Sequence, residues 1–318
     1  MPEPYSTVLE EVDLSRIKPA KPPFGYYGAK QRISGQIISS LPPHNAWVEA
    51  FCGSAALTLA KLPAPIEIIN DQDDQIVNLF DQLRNNSEAL YRAVALTPYA
   101  RAEFERARRN ETIKDPLEKA RLFLVATMMT VNGTNGSTHS GFSFSTSYSR
   151  EDVEARVNRW KNMPERLEKV VQRLRNIRVE NRDARELLDF FVDRPATLMY
   201  LDPPYFVKRD HTYVIDANDE AFHEELLKKC LKAKCMLLIS AYESSLYDEL
   251  LSREKGWVKN RIRTQTRDTS GKDYAKTEVI WENKHFVETQ ASGKIRIRLT
   301  KKEALNKKLN PPRGRMRK

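Results

Sequence analysis

An aspartate, two prolines and a tyrosine occupy positions 202–205, directly after the apolar run ATLMYL at 196–201. An ionised Asp offers only hydrogen-bond acceptors, and two successive prolines limit rearrangement of the backbone around it. A planar exocyclic amine donates two N–H bonds. Asp202 can take one, the Pro203 carbonyl the other, and Tyr205 presents a flat face for a ring, worth roughly 1 to 3 kcal/mol per stacked base. The plain alternative is a Pro-rich turn closing a strand.

Two further segments could hold a nucleotide-like ligand. Residues 48–57 (VEAFCGSAAL) read as a strand, a tight turn of small residues and a helix, which lets a ligand approach the backbone closely. An ordinary strand–helix connection has the same look. Ile69-Asn70-Asp71 follows at the end of the next apolar run, about 20 residues past the start of the first turn, where an acid commonly grips ribose hydroxyls. Taken by itself, Asp71 could equally cap the helix expected near residue 73.

The elements that must position these residues follow from periodicity. Strands are expected at 46–51, 66–70, 177–180, 196–201 and 236–240, with a final hairpin from 257–264 and 278–282. Helices are expected at 54–62, 73–85, from Thr97 (an N-cap followed by Pro98), 116–130, 184–191, 220–233 and 244–251. A helical, Arg-rich stretch at 150–175 is interrupted near Pro164. The polar run VNGTNGSTHSGFSFSTSYS at 131–149 is a long loop, a kind that is functional or disordered inside compact domains. The simplest architecture is α/β, one doubly wound sheet formed by 22–75 and 176–290. A mostly helical insertion at 76–175 interrupts it, an extension at 1–21 precedes it and a basic tail at 291–318 follows.

Hydrophobic residues at 40% are ample for a core, and no run approaches the roughly 18 to 20 apolar residues of a membrane span. The N-terminal stretch carries acids and prolines, unlike a secretory signal. Cys52, Cys230 and Cys235 are odd in number and lack metal-ligand spacing, which points to a reducing, cytoplasmic compartment. None of the five histidines has a ligand-like neighbour, so no metal is expected. The net charge of +10 sits in the tail, where residues 294–318 hold eleven Lys or Arg and one acid, leaving the rest formally neutral. That tail either leans on phosphates or is a solvated terminus.

The sequence resembles the Dam-like DNA adenine methyltransferases, which use S-adenosylmethionine. The resemblance is carried, in family order, by Phe24-Gly25-Tyr26-Tyr27-Gly28-Ala29-Lys30, Glu49-Ala50-Phe51-Cys52-Gly53-Ser54, Asn70-Asp71 and Asp202-Pro203-Pro204-Tyr205. Supporting matches are Asn132-Gly133 with Gly141-Phe142, Asn181-Arg182-Asp183, Ile239-Ser240 with Tyr242, and Glu278-Val279-Ile280-Trp281. It covers about 24–283. The resemblance implies a Rossmann-like methyltransferase sheet with a target-recognition insertion, double-stranded DNA as partner, and no membrane. It implies that Tyr27 and Lys30 hold the methionine part of the cofactor, that Phe51, Gly53 and Asp202 wall its pocket, that Asp71 takes the ribose, and that Asp183 takes the adenine amine. Asp202, Pro203 and Tyr205 would serve a flipped target base. Two positions depart from the family pattern, which has Pro where Ala50 stands and Gly where Ala55 stands.

Base and phosphate contacts are expected from Asn135, Ser137, Thr138 and His139 in the polar loop, and from Arg150, Arg156 and Arg159 after it. The bland reading of those arginines is a solvated helix face. Residues 206–218, with Lys208 and Arg209, are expected to form a lid over the base. Rival readings are methylation of another planar amine (cytosine N4, an RNA base, a glutamine amide) and a DNA-binding regulator that has lost catalysis.

Overall fold

The computed structural model describes residues 19–25, 30–109, 112–131, 141–146, 149–150, 152–204, 220–267 and 273–295, with backbone only at 150, 264–267 and 273–276. In chain order the described elements are α1 (Ser34–Ser40), β1 (Ala46–Glu49), α2 (Ala56–Ala60), β2 (Ile66–Asn70), α3 (Asp74–Asn85), α4 (Ser87–Ala95), α5 (Arg101–Arg108) and α6 (Pro116–Met128). Then come β3 (Ser149–Arg150), β4 (Val153–Glu154), α7 (Ala155–Lys161), α8 (Met163–Leu174), β5 (Ile177–Glu180), α9 (Ala184–Phe191) and β6 (Thr197–Leu201). The chain continues through α10 (Glu220–Cys230), β7 (Met236–Ala241), α11 (Ser245–Leu250), β8 (Val258–Arg267), β9 (Asp273–Glu282) and α12 (Lys284–Ser292).

Seven strands form one sheet in the order β5-β2-β1-β6-β7-β9-β8. All neighbours from β5 to β7 pair in parallel, while β9 runs antiparallel between β7 and β8. The chain moves outward through β1, β2 and β5, then returns to lay β6 on the other side of β1. That reversal opens a crevice beyond the carboxyl ends of β1 and β6, where α/β sheets bind ligands.

The central strands are apolar on both faces because helices cover both. On one face Trp47, Leu198, Tyr200, Leu238 and Ile280 pack with Ile37 of α1, Leu57 of α2 and Phe286 of α12. On the other, Val48, Met199, Leu201, Leu237 and Ile239 pack with Leu187 of α9, Leu226 of α10 and Tyr247 of α11. Alternate residues of one strand thus serve opposite layers, the period-2 rule of a pleated strand. A third cluster joins Leu59, Ile69 and Ile177 of the sheet half to Phe80 of α3, Leu90 of α4, Phe104 of α5, Phe123 of α6, Trp160 of α7 and Leu167 of α8.

The structure departs from the sequence expectations at several places. Thr97 does not open a helix. Its hydroxyl donates to the Ala93 carbonyl at 2.7 Å and accepts from buried Arg121 at 2.9 Å, so it closes α4, and α5 begins only at Arg101. The stretch from Arg150 begins with the β3–β4 hairpin rather than helix, because Asp152 turns the chain at φ 60°. The interruption expected near Pro164 is present: the break falls at Asn162, and Pro164 lies in the first turn of α8, where its missing N–H costs nothing. Helices α1, α4 and α12 had no counterpart in the sequence reading. Strands β8 and β9 pair over ten residues each, longer than expected.

Candidate active site

Buried strand β6 delivers Asp202 to the crevice, and the described side chains around it come from β6 itself and from three other segments. Lys30, in a short 3-10 turn before α1, donates to Oδ1 at 2.7 Å and Oδ2 at 2.8 Å of Asp202, and lies 3.4 Å from Glu278 of β9. Ser240 of β7 donates to Oδ1 at 2.8 Å, and Tyr200 of β6 lies 2.6 Å from the Ser240 hydroxyl. Since Ser240 has a single proton, already given to Asp202, Tyr200 is the donor to Ser240. Oδ1 therefore accepts twice, while Oδ2 accepts only from Lys30 among these contacts.

The electrostatics agree. Burial acts to lower the Lys30 pKa, but Asp202, Tyr200 and Glu278 together outweigh it and hold the ammonium above its ordinary range. Burial, reinforced by the Asp202 charge, pushes the Tyr200 phenol well up, so it remains a donor. Beneath the crevice Glu49 is buried, takes hydrogen bonds from the Thr58 backbone N–H (2.9 Å) and hydroxyl, and is pushed up to about 7 by burial.

The β1–α2 turn forms the second wall. Gly53 and Ala55 both adopt left-handed backbone conformations, at φ 48° and 54°, which only glycine adopts without strain. Ala55 stands where the resembled family has Gly, so the turn keeps its shape at some conformational cost. Asp71 accepts from the backbone N–H groups of Gly53 (2.8 Å) and Asp73 (3.0 Å), one on each oxygen. A carboxylate has about four acceptor directions, and these contacts do not use all of them. Burial pushes Asp71 up to about 6. The Ser54 hydroxyl is buried with no partner among the described residues.

Asn70 stitches the loops together. Its amide donates to the carbonyls of Ala50 (2.9 Å) and Arg182 (3.0 Å), and its oxygen accepts from the Arg182 N–H (2.9 Å). Asp183 caps α9 through Arg185 N–H at 2.8 Å and also pairs with the Arg185 guanidinium, which holds its pKa below the usual carboxylate range. Phe51 packs edge-on against Phe222.

The structure thus gathers Lys30, Gly53, Asp71 and Asp202, with Asp183 and Phe51 at neighbouring strand ends. Tyr27, Tyr205, Asn135, Ser137, Thr138, His139, Lys208 and Arg209 lie outside the described residues, as does the Arg150 side chain. Arg156 and Arg159 lie on α7, half-buried along a separate cleft. Tyr200, Ser240, Glu278 and Asn70 were given no role by sequence. Ser240 and Glu278 fall inside quoted motifs, but a hydroxyl in an apolar strand gives no local sign of what it faces.

A sheet in this order, with an Asp-Pro-Pro step leaving its fourth parallel position, has the Rossmann-like architecture that the sequence resemblance implies. The chain belongs to the D12 class N6 adenine-specific DNA methyltransferase family, which it matches over residues 26–265. Its reaction is methylation of the N6 amine of adenine in DNA. No curated protein sequence matches it. Among solved structures it is similar to a Pyrococcus horikoshii protein provisionally described as an RNA methyltransferase, at 11% identity, TM-score 0.38, over 85% of this chain and 90% of that one. It is similar also to precorrin 8W decarboxylase from Methanobacterium thermoautotrophicum, at 9% identity, TM-score 0.32, over 79% and 88%. Likenesses this distant carry no weight beside the strand order and the family match. Among the described residues no helix is long and apolar enough to cross a membrane.

Proposed function

We propose that the chain uses S-adenosylmethionine as methyl donor and acts on an adenine swung out of double-stranded DNA, with Asp202 and the Pro203 carbonyl accepting its two N6 hydrogens. The observation that carries this is Asp202 itself, a carboxyl group paired with Lys30 at the switch-point crevice, whose Oδ2 accepts only from Lys30 among the described contacts and retains acceptor capacity. Three features of the crevice suit the cofactor: the turn carries a left-handed glycine with no side chain, Asp71 has acceptor capacity left for a diol, and the Ser54 hydroxyl has no partner among the described residues. Bound there, S-adenosylmethionine supplies an electrophilic methyl on a sulfonium.

The chain's own residues do the rest by placement and charge. Accepting both N–H bonds favours a pyramidal nitrogen with its lone pair directed at the methyl carbon. As the new N–C bond forms, positive charge develops on that nitrogen, and Asp202 stabilises it more in the transition state than before. The methyl–sulfur bond would break as the N–C bond forms, its electron pair staying on sulfur, and the nitrogen then passes one proton by way of Asp202 to solvent. Lys30, Ser240 and Tyr200 are positioning residues that fix the rotation of the carboxylate. Tyr205 offers a stacking face that offsets part of the few kcal/mol needed to extrude the base. Tyr27, Lys30, Phe51, Gly53, Asp71 and Asp183 are proposed to border the cofactor. The helical block 76–175, with Arg156 and Arg159, and the segment holding Lys208 and Arg209 are proposed to meet DNA in a cytoplasmic setting.

Asp202→Ala tests the reading. Methyl transfer to DNA from labelled S-adenosylmethionine is expected to fall by at least about a hundredfold, with the circular dichroism spectrum retained. Turnover equal to wild type, or N4-methylcytosine as the wild-type product, would overturn it.

A further inference from the structure

Arg121 and Arg173 are buried and paired with carboxylates, whereas Arg159 and Arg166 are half-buried. Arg121 gives Nε and Nη2 to Glu118 (2.7 and 2.8 Å) and Nη1 to Glu103 (2.7 Å). Arg173 forks onto Glu67. Arg159 and Arg166 are not treated like this. Arg159 donates to the Met128 thioether at 3.5 Å, a weak acceptor, and the Nε of Arg166, like that of Arg173, has no partner among the described residues. Neither meets a carboxylate among the described residues.

Both line a cleft of about 960 Å³ that contains no residue of the Asp202 site. Arg156 and Arg159 are three apart on α7, and Arg166 and Lys169 three apart on α8, so each pair shares a helix face. Lys21 lines the cleft as well, and among the described residues Glu165 is the one acid that does. Burial, and then the charge of Arg159, push Arg166 down to about 10; burial and Arg156 lower Arg159 in the same way. Like charges brought together and desolvated without an anion destabilise a protein. The arrangement makes sense when an anion completes it.

We propose that the α7–α8 cleft is a phosphate receptor in which the guanidinium forks of Arg159 and Arg166 take phosphodiester oxygens of the DNA substrate. Planar forks match phosphate oxygens bidentately. A DNA strand, rather than a free anion, is favoured by the length of the basic row and by Phe144, an aromatic left 63% exposed on the cleft wall. The inference rests on the reading that this chain engages double-stranded DNA.

The test is DNA affinity of the full chain by fluorescence anisotropy across a potassium chloride series, wild type against Arg166→Met. Each phosphate contact contributes about 0.9 to the slope of log K against log salt, so the slope should shrink by about that much and affinity should fall on the order of tenfold. The melting temperature should hold or rise, because an unpaired, half-buried charge has been removed. S-adenosylmethionine affinity without DNA should match wild type. An unchanged slope overturns the proposal, and a lowered melting temperature with an unchanged slope marks Arg166 as structural. Inorganic phosphate saturating the cleft in wild type, with DNA binding of the variant unaltered, would assign the site to a free anion and also overturn it. Should Arg166→Met not fold, Arg166→Lys keeps the charge and loses the fork. Weaker DNA binding at the wild-type slope then supports the receptor, and unchanged affinity overturns it. A wild-type protein that shows this salt dependence but transfers no methyl would sink the proposed function and leave the receptor standing.

Discussion

Asp202 is the residue on which the proposed chemistry turns, and its usefulness there depends on which way its two oxygens face. Ser240 and Lys30 saturate Oδ1, while Oδ2 takes only Lys30. Ser240→Ala removes one bond to a charged acceptor and leaves the Tyr200 hydroxyl without its acceptor. A hydrogen bond to a charged group is worth about 1.5 to 3 kcal/mol, so kcat should drop roughly ten- to a hundredfold with KM for DNA little changed. Tyr200→Phe acts through the same serine, so the double variant should be no worse than Ser240→Ala alone. Multiplying effects, or a rise in KM with kcat intact, would show that the chain Tyr200–Ser240–Asp202 does not orient the carboxylate. Asp202 was legible in sequence because two prolines after a buried run leave a conspicuous local mark. Its partners were not. Lys30 is 172 positions away, and Ser240 sits in a strand whose pattern records burial rather than what its hydroxyl meets.

At the scale of elements, legibility follows the same division between local and distant causes. Strands β1, β6 and β7 are continuous apolar runs and were read within a residue or two. So was α6, with Asp115 capping it and Pro116 opening it. The Thr97 reading failed because a distant arginine, Arg121, claims that hydroxyl. Helix α4 was hidden because Asn86 alone separates it from α3. Another distant arginine fixes how α8 meets the sheet. Arg173 forks onto Glu67 of β2 and donates to the Thr58 carbonyl at 2.8 Å, while Lys61 reaches Glu67 at 2.8 Å. Burial acts to raise the Glu67 pKa, but Arg173 and Lys61 outweigh it and hold the carboxyl below its ordinary range. The two partners are not equivalent. Glu67→Gln leaves two buried cations without an anion and should cost about 3 to 5 kcal/mol in urea unfolding. Arg173→Met leaves Lys61 to neutralise Glu67 and should cost clearly less. Equal losses, or the reverse order, would refute this account of the junction.

For the molecule as a whole, the question is whether the helical block is a separable reader attached to a catalytic sheet. Sequence suggests a division at 76 and 175, since the β/α rhythm stops and resumes there. The packing runs straight across it. Ile69, Ile177 and Leu59 share one buried cluster with Phe80, Leu83, Phe123, Leu124, Leu167 and Leu174, all fully or almost fully enclosed, and the Glu67–Arg173 pair crosses the same boundary. Cooperative units follow shared cores more closely than sequence segments. Pulling α6 and α8 off the sheet would strip Ile69 and Ile177 of cover, at roughly 1.5 to 3 kcal/mol for each large side chain exposed, and would uncover Glu67 and Lys61. A partial opening of that kind gains little and loses a core, so block and sheet should open together. Native-state hydrogen exchange read by mass spectrometry should therefore give α6 and α8 the same opening free energy as β1 and β6, with a common dependence on denaturant. Peptides from α6 and α8 exchanging several kcal/mol more easily than those of β1 would show two bodies instead of one.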